Sequence, residues 1–341
     1  MTVPGTPPTR VGRRGLALGL GVAVSGGALW WALRGIAWGD LRTRVASADV
    51  GLLLAAVAVA TLTFPIRAWR WRYLLRDDER RPIAWGPLWH GVAIGFMANN
   101  VLPARLGEVI RCYTVNRVAP VRFTAALTSV AVERVFDALA IVTLFIVALL
   151  GPGVPRDIPI AAQVRWAGLV GIAALLVLTA AAFRPVLAER AVRKLLPAGR
   201  ITDGLVRILH GLLEGLTALH DPRRLVAVVF GSLLLWTVNA LGFGLAFAAF
   251  GLPGDLWTAL VAQTFVVFAV AAPSTPGYVG VLELAVVGAL ALYHVPRDAA
   301  FAAAATYHVT TFIPIVLLGA WSLARTGLSL GELRRQPRPA S

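Results

Sequence analysis

The 341-residue chain is short of charge, cysteine and lysine. Asp, Glu, Lys and Arg make up 14% of it, against about 25% in a typical soluble domain. That is too little to coat a water-facing surface of this size, which argues against a soluble enzyme of one or two domains. The single cysteine, Cys112, rules out an intrachain disulfide and any cysteine cluster for zinc or iron–sulfur. Its apolar context reads as small packing. Lys194 is the one lysine, so arginine carries nearly all the basic charge. There is no His pair at metal-ligand spacing, no Gly-x-x-x-x-Gly-Lys phosphate loop and no Gly-x-Ser-x-Gly elbow. With no catalytic constellation in view, the expectation is a chain that is not an enzyme and needs no cofactor or metal. Transport would then draw on an ion gradient, a partner or a downhill lipid gradient.

What the chain has in abundance is apolar sequence: 58% hydrophobic residues and a mean hydropathy of +0.74. This excludes disordered and fibrous classes and leaves a polytopic membrane protein. The net charge of +15 would suggest nucleic acid in a soluble protein. Here the arginines sit between apolar segments, as cytoplasmic loops facing anionic headgroups do, so no nucleic-acid partner is expected.

A span needs about 20 predominantly apolar residues. Six segments qualify: 15–33, 50–66, 123–150, 164–183, 225–250 and 299–324. Arg13 and Arg14 before the first resemble a signal peptide, but the stretch is long enough to span and reads as retained. Two further stretches are interrupted, 86–117 by Asn99-Asn100-Val101-Leu102-Pro103 and 257–292 by Pro273-Ser274-Thr275-Pro276-Gly277. Broken backbone at membrane depth is tolerated only when buried in protein or lining a wet cavity. Both read as re-entrant helical hairpins, with two tilted full spans each as the alternative.

Arginine placement sets the orientation. The loop after the second span holds Arg67, Arg70, Arg72, Arg76, Arg80 and Arg81, and the segment from 184 to 224 holds seven arginines and Lys194. Both termini are therefore expected in the cytoplasm, in a multi-pass protein of the cytoplasmic membrane. Paired interrupted segments of opposite sense suggest an inverted repeat with a midplane site. The expected fold is all-α: about six full spans plus two broken hairpins, eight or more helices. The first repeat covers about 50–150 and the second about 225–324, within a transmembrane domain over 15–330. Between the repeats, Ile201, Leu205, Ile208, Leu212 and Leu216 share one face of an amphipathic helix at about 201–220. Residues 1–14 and 331–341 are expected to be disordered tails.

Three clusters carry ionisable groups that membrane depth makes costly. The first holds Asn99, Asn100, Pro103, Arg105, Glu108 and Arg111. Arg105, Glu108 and Arg111 repeat at i,i+3 on the outgoing half-helix, with one positive charge to spare, which suits a phosphate. A salt bridge closing the hairpin is the alternative. The second is Glu133-Arg134-Val135-Phe136-Asp137 inside an apolar span, where Glu133 and Asp137 share a face and Arg134 can pair with Asp137. Such a group needs an internal partner, and its role is either an ion pair fixing helix packing or proton and ion coupling through Glu133. The third is Pro276, Gly277, Gly280 and Glu283, with Arg105 or Arg111 as the expected partner of Glu283, or else a tight turn with Glu283 satisfied by backbone amides. His308 opens the last span's polar stretch and is a candidate for gating or coupling with Glu133, Arg134 and Asp137. Trp30, Trp31, Trp69, Trp71, Trp85 and Trp89 read as an interfacial belt.

Taken together, Asn-x-x-x-Pro-x-Arg-x-Gly-Glu-x-x-Arg at 99–111, Glu-Arg-x-x-Asp at 133–137 and Pro-Gly-x-x-Gly-x-x-Glu at 276–283 resemble the signatures of the lysylphosphatidylglycerol synthase transmembrane-region family, also called flippase-like or UPF0104 proteins. The resemblance covers nearly the whole chain. In bifunctional members a flippase region precedes a soluble domain that makes the aminoacylated lipid. The chain ends at Ser341 without one, so the resemblance implies translocation without synthesis. It implies a membrane lipid as substrate, either an anionic or modified phospholipid or a polyprenyl-linked lipid. It also implies a lipid-modifying enzyme or glycosyltransferase as partner, with a homo-oligomer allowed. Scaffolding of a lipid or envelope-glycan pathway and intramembrane transfer are the rival readings. Two positions depart from the family: Tyr278 replaces the second Gly of Pro-Gly-Gly, and His308 stands where Arg is frequent.

Overall fold

The computed structural model describes residues 26–27, 29–30, 38–102, 106–151, 221–271 and 275–329. The expected spans at 15–33 and 164–183, the interfacial helix at 201–220 and both tails lie wholly or mostly outside them. The described residues form nine α-helices and no β-strand, an all-α membrane protein. In chain order these are α1 (Trp38–Ala46), α2 (Val50–Leu74), α3 (Trp85–Val101), α4 (Gly107–Val118), α5 (Phe123–Leu149), α6 (Pro222–Ala249), α7 (Leu256–Ala271), α8 (Val281–Ala291) and α9 (Arg297–Thr326). A 3-10 turn at Pro276–Tyr278 precedes α8.

Aspartate starts several of these helices by accepting otherwise unpaired amide protons. Asp49 accepts from Leu52 N–H at 3.0 Å and Asp221 from Arg223 N–H at 3.0 Å. Asp255 accepts from Trp257 N–H at 3.0 Å and Thr258 N–H at 3.1 Å. Helices α2, α6 and α9, with 25, 28 and 30 residues, are long and apolar enough to cross a membrane. Helix α5 has 27 residues but carries Glu133, Arg134 and Asp137. At about 1.5 Å per residue these four exceed the ~30 Å hydrocarbon core. Helices α3, α4, α7 and α8, with 17, 12, 16 and 11 residues, fall short of it. They form two broken pairs, α3–α4 and α7–α8.

The long helices α2 and α6 run antiparallel. Asp49 N–H donates to Ala249 O at 2.9 Å at one end, and Gly231 packs on Trp69 and Arg70 at the other. Helix α9 lies antiparallel on α3, with Gly319 against Ala93 and Met97 and with the His90 and Trp321 rings 5.7 Å apart. Helix α5 lies antiparallel on α7, with Gly151 against Trp257 and with Ala140 and Ile141 near Val267. Two main cores result. One joins the end of α2 to α3, α4 and the start of α5. The other joins the end of α6 to α7, α8 and the start of α9.

Helices α3 and α4 approach closely because their contact is built from glycine: a Cβ at Gly95 would lie 2.8 Å from Gly107 O, and one at Gly91 would lie 2.7 Å from Val115. Small residues at such spacing let membrane helices meet backbone to backbone.

Two expectations change here. The second span continues to Leu74 through Pro65 instead of ending at 66, because the stripe Phe64, Ala68, Trp71 and Leu74 stays buried. Arg67 and Arg70 are therefore inside the helix bundle, not in a cytoplasmic loop; Arg72 is exposed. Trp71 is not a belt residue. It is fully buried, and its indole N–H donates to Ser129 Oγ at 2.8 Å.

Candidate functional site

Helix α5 places Glu133 and Asp137 on one inward face, both buried. Charges at that depth must be met by cations and donors on neighbouring helices. Arg111 of α4 gives Glu133 two hydrogen bonds, to Oε1 at 2.8 Å and Oε2 at 2.9 Å, while its guanidinium stacks 3.7 Å from the Trp71 ring centre. Arg70 of α2 meets Asp137 at 2.5 Å and Glu133 at 3.2 Å, and donates to Ser232 Oγ of α6 at 2.7 Å. Trp236 of α6 donates to Asp137 at 2.9 Å. Arg134 reaches Glu133 at 2.8 Å and Asp137 at 3.0 Å, and lies 3.8 Å from Glu108. Three arginines thus face three carboxylates, and the network ties α2, α4, α5 and α6 into one unit.

This satisfies the need for internal partners at Glu133 and Asp137. Within the first hairpin, Glu108 faces Arg134 of α5, while Arg111 is taken up by Glu133. Asn99 closes the hairpin by accepting the Gly107 N–H at 2.8 Å, the first amide of α4. Pro103 and Arg105 lie outside the described residues.

The second group forms where α8 begins. Gly277, Tyr278 and Gly280 have φ of 70°, 61° and 84°, left-handed conformations that suit glycine and strain tyrosine. The turn lets Glu283 fold back to accept the Gly280 N–H at 2.7 Å. Its other oxygen lies 2.7 Å from His308 Nδ1 of α9. Among the described residues the side-chain partner of Glu283 is therefore His308, not Arg111, which Glu133 already binds; Arg105, the other expected partner, lies outside them. The two hairpins touch here: a Cβ at Gly277 would lie 3.4 Å from Asn100 O and 3.2 Å from Phe312. Pro276 is exposed on the same turn.

Sequence reasoning missed Arg67, Arg70, Ser232 and Trp236. The arginines follow an apolar run and look like a cytoplasmic flank. Ser232 and Trp236 stand i,i+4 in an otherwise apolar helix, a weak signal without the partner helix.

Known proteins bear on this arrangement. Glycosyltransferase AglD of Haloferax volcanii is 30% identical over 317 residues, which are 83% of this chain and 50% of that protein. A UPF0104 membrane protein of Methanocaldococcus jannaschii is 27% identical over 227 residues, 65% of this chain and 91% of that protein. The chain spans half the length of the Haloferax relative. The expectation that the chain is not an enzyme does not stand, since a relative of this similarity carries the name of a glycosyltransferase. Residues 18–319 match the family model described as lysylphosphatidylglycerol synthase TM region. Together with the three motifs and the helical bundle, that match places this multi-pass membrane protein in the lysylphosphatidylglycerol synthase transmembrane-region family.

Proposed function

We propose that this protein carries an anionic or modified phospholipid, or a polyprenyl-linked lipid, across the cytoplasmic membrane, with both termini in the cytoplasm. The observation that carries this reading is the meeting of two short broken helix pairs between long antiparallel helices. Each half has the order long helix, broken pair, long helix, and the first helices of the halves, α2 and α6, run in opposite directions. That is the pattern of an inverted repeat, and such repeats place substrate at their broken helices. In this reading the turn Pro276-Gly277-Tyr278-Val279-Gly280 with Glu283, and the facing Asn99 and Asn100, contact the headgroup. Pro103, Arg105, Glu108 and Arg111 shape the opposite side, Arg111 through its grip on Glu133. Glu133, Arg134 and Asp137 hold the bundle together around the path, and the Glu283–His308 pair gates or couples. A lipid-modifying enzyme or glycosyltransferase working beside it would supply or consume the cargo.

The test is reconstitution in vesicles carrying a headgroup-labelled phosphatidylglycerol, with label accessibility read by a membrane-impermeant quencher. Wild-type protein is expected to expose inner-leaflet label, and Glu283→Ala to slow this at least about tenfold, the loss of a charge-assisted hydrogen bond. Equal rates in the two proteins would remove Glu283 from the site.

A second reading, participation in glycosyl transfer, is favoured by the name of the Haloferax relative. It predicts a glycosylated lipid product in detergent solution, where no second compartment exists.

A further inference from the structure

Among the described residues, Arg67 is the buried arginine left over when the charged network is counted. It is 6% exposed and lies three residues before Arg70 on α2. Arg70, Arg111 and Arg134 each meet a carboxylate within 3.2 Å. Among the described residues no carboxylate forms such a bridge with Arg67, and its Nε and Nη1 are buried with no hydrogen-bond partner. Its neighbours are ring faces: the guanidinium carbon is 4.7 Å from the Phe96 ring centre on α3 and 5.6 Å from that of Trp236 on α6. Rings stabilise the charge through their faces but accept none of the in-plane N–H bonds. Buried arginines in spanning helices ordinarily pair, and an unpaired one at membrane depth marks a substrate or ion path.

We infer that Arg67 receives a phosphate monoanion between α2, α3 and α6, contributed by a phospholipid headgroup or by a free phosphate. The forked guanidinium matches phosphate oxygens two at a time, and Phe96 and Trp236 form the dry walls. Arg70 and Arg111 are poorly suited to the same task, since each is already ion-paired with a buried carboxylate, Arg70 with Asp137 and Glu133 and Arg111 with Glu133. The inference deepens the lipid-transport reading by naming the headgroup chemistry and the residue that meets it.

The experiment titrates purified protein in detergent with dioleoylphosphatidylglycerol, with dioleoylglycerol, which lacks the phosphate, and with inorganic phosphate. Binding is read by native mass spectrometry for wild type, Arg67→Lys and Arg67→Gln, with unfolding temperature followed in parallel. Arg67→Gln is expected to weaken phosphatidylglycerol binding about tenfold to a hundredfold, the range for a charged hydrogen bond, and to leave dioleoylglycerol unchanged. Arg67→Lys keeps the charge without the fork and is expected to fall between; it keeps the test alive if Arg67→Gln does not fold. Competition by inorganic phosphate at comparable concentration in wild type, absent in Arg67→Gln, would assign the site to a soluble phosphate. Equal phosphatidylglycerol affinity in all three folded proteins would overturn the inference. So would a loss of stability in Arg67→Gln that leaves lipid selectivity intact, since that is a structural role alone. Transport is scored separately: wild type that binds phosphatidylglycerol through Arg67 but moves no lipid overturns the transport reading and leaves the site standing. Lipid movement with Arg67-independent binding does the reverse.

Discussion

Arg111 and Glu133 are joined by two hydrogen bonds, 2.8 and 2.9 Å long, across the contact of α4 and α5. Removing one member of a buried pair leaves the other uncompensated, at a cost of about 3–5 kcal/mol, while replacing both with apolar residues of similar size is far milder. Glu133→Leu is therefore expected to lower unfolding free energy in detergent by that amount. Adding Arg111→Leu should cost less than the sum of the two single changes. A double-mutant cycle on denaturant unfolding checks this, and strict additivity would mean that the pair carries no coupling.

Ser129 accepts the only hydrogen bond made by the buried Trp71 indole. Ser129→Ala would strand that N–H, costing about 1–3 kcal/mol. Thermal unfolding in detergent reads the loss, and a variant as stable as wild type would show the bond to be idle.

Close packing of the first hairpin rests on Gly107. A Cβ there would collide with Gly95 O and the Asn99 side chain, whereas one at Gly86 meets nothing within 4 Å. Gly107→Ala is expected to destabilise by about 1–3 kcal/mol as an overpacked site, and Gly86→Ala to stay within about 0.5 kcal/mol of wild type. Equal effects at both positions would refute the close approach.

Tyr278 holds φ at 61° between two left-handed glycines. Tyr278→Gly and Tyr278→Ala both delete the ring, but only glycine relieves the backbone. The glycine variant should be more stable than the alanine variant by about 1 kcal/mol. Chemical denaturation of the two, compared directly, isolates that difference from the loss of the ring.

Much of this was legible in the chain itself, and the exceptions have physical causes. Pro, Asn and Gly at 99–103 and 273–277 mark interruptions because they deny the helix donors or the right-handed backbone. The Glu133–Asp137 spacing announced a buried face in want of cations. Arg67 and Arg70 were hidden because an arginine-rich flank after an apolar run has the composition of a cytoplasmic loop. The continuing helical stripe Phe64, Ala68, Trp71 and Leu74 was the better guide, and it says that α2 does not stop at Pro65. The partner of Glu283 was hidden for another reason: charge alone favoured an arginine, but Glu133 had already claimed Arg111, and His308 is 25 residues distant on another helix.

The antiparallel pairing of α2 and α6 has an electrical consequence. Each long helix is equivalent to roughly half an elementary charge at either end, and side by side in opposite sense the two cancel. The six-member network beside them also sums to zero, three guanidinium groups against three carboxylates. Among the buried charges of these elements, a transmembrane voltage finds little to pull on except Arg67. Moving one elementary charge through 100 mV is worth about 2.3 kcal/mol, and an anion seated on that guanidinium would take even this lever away.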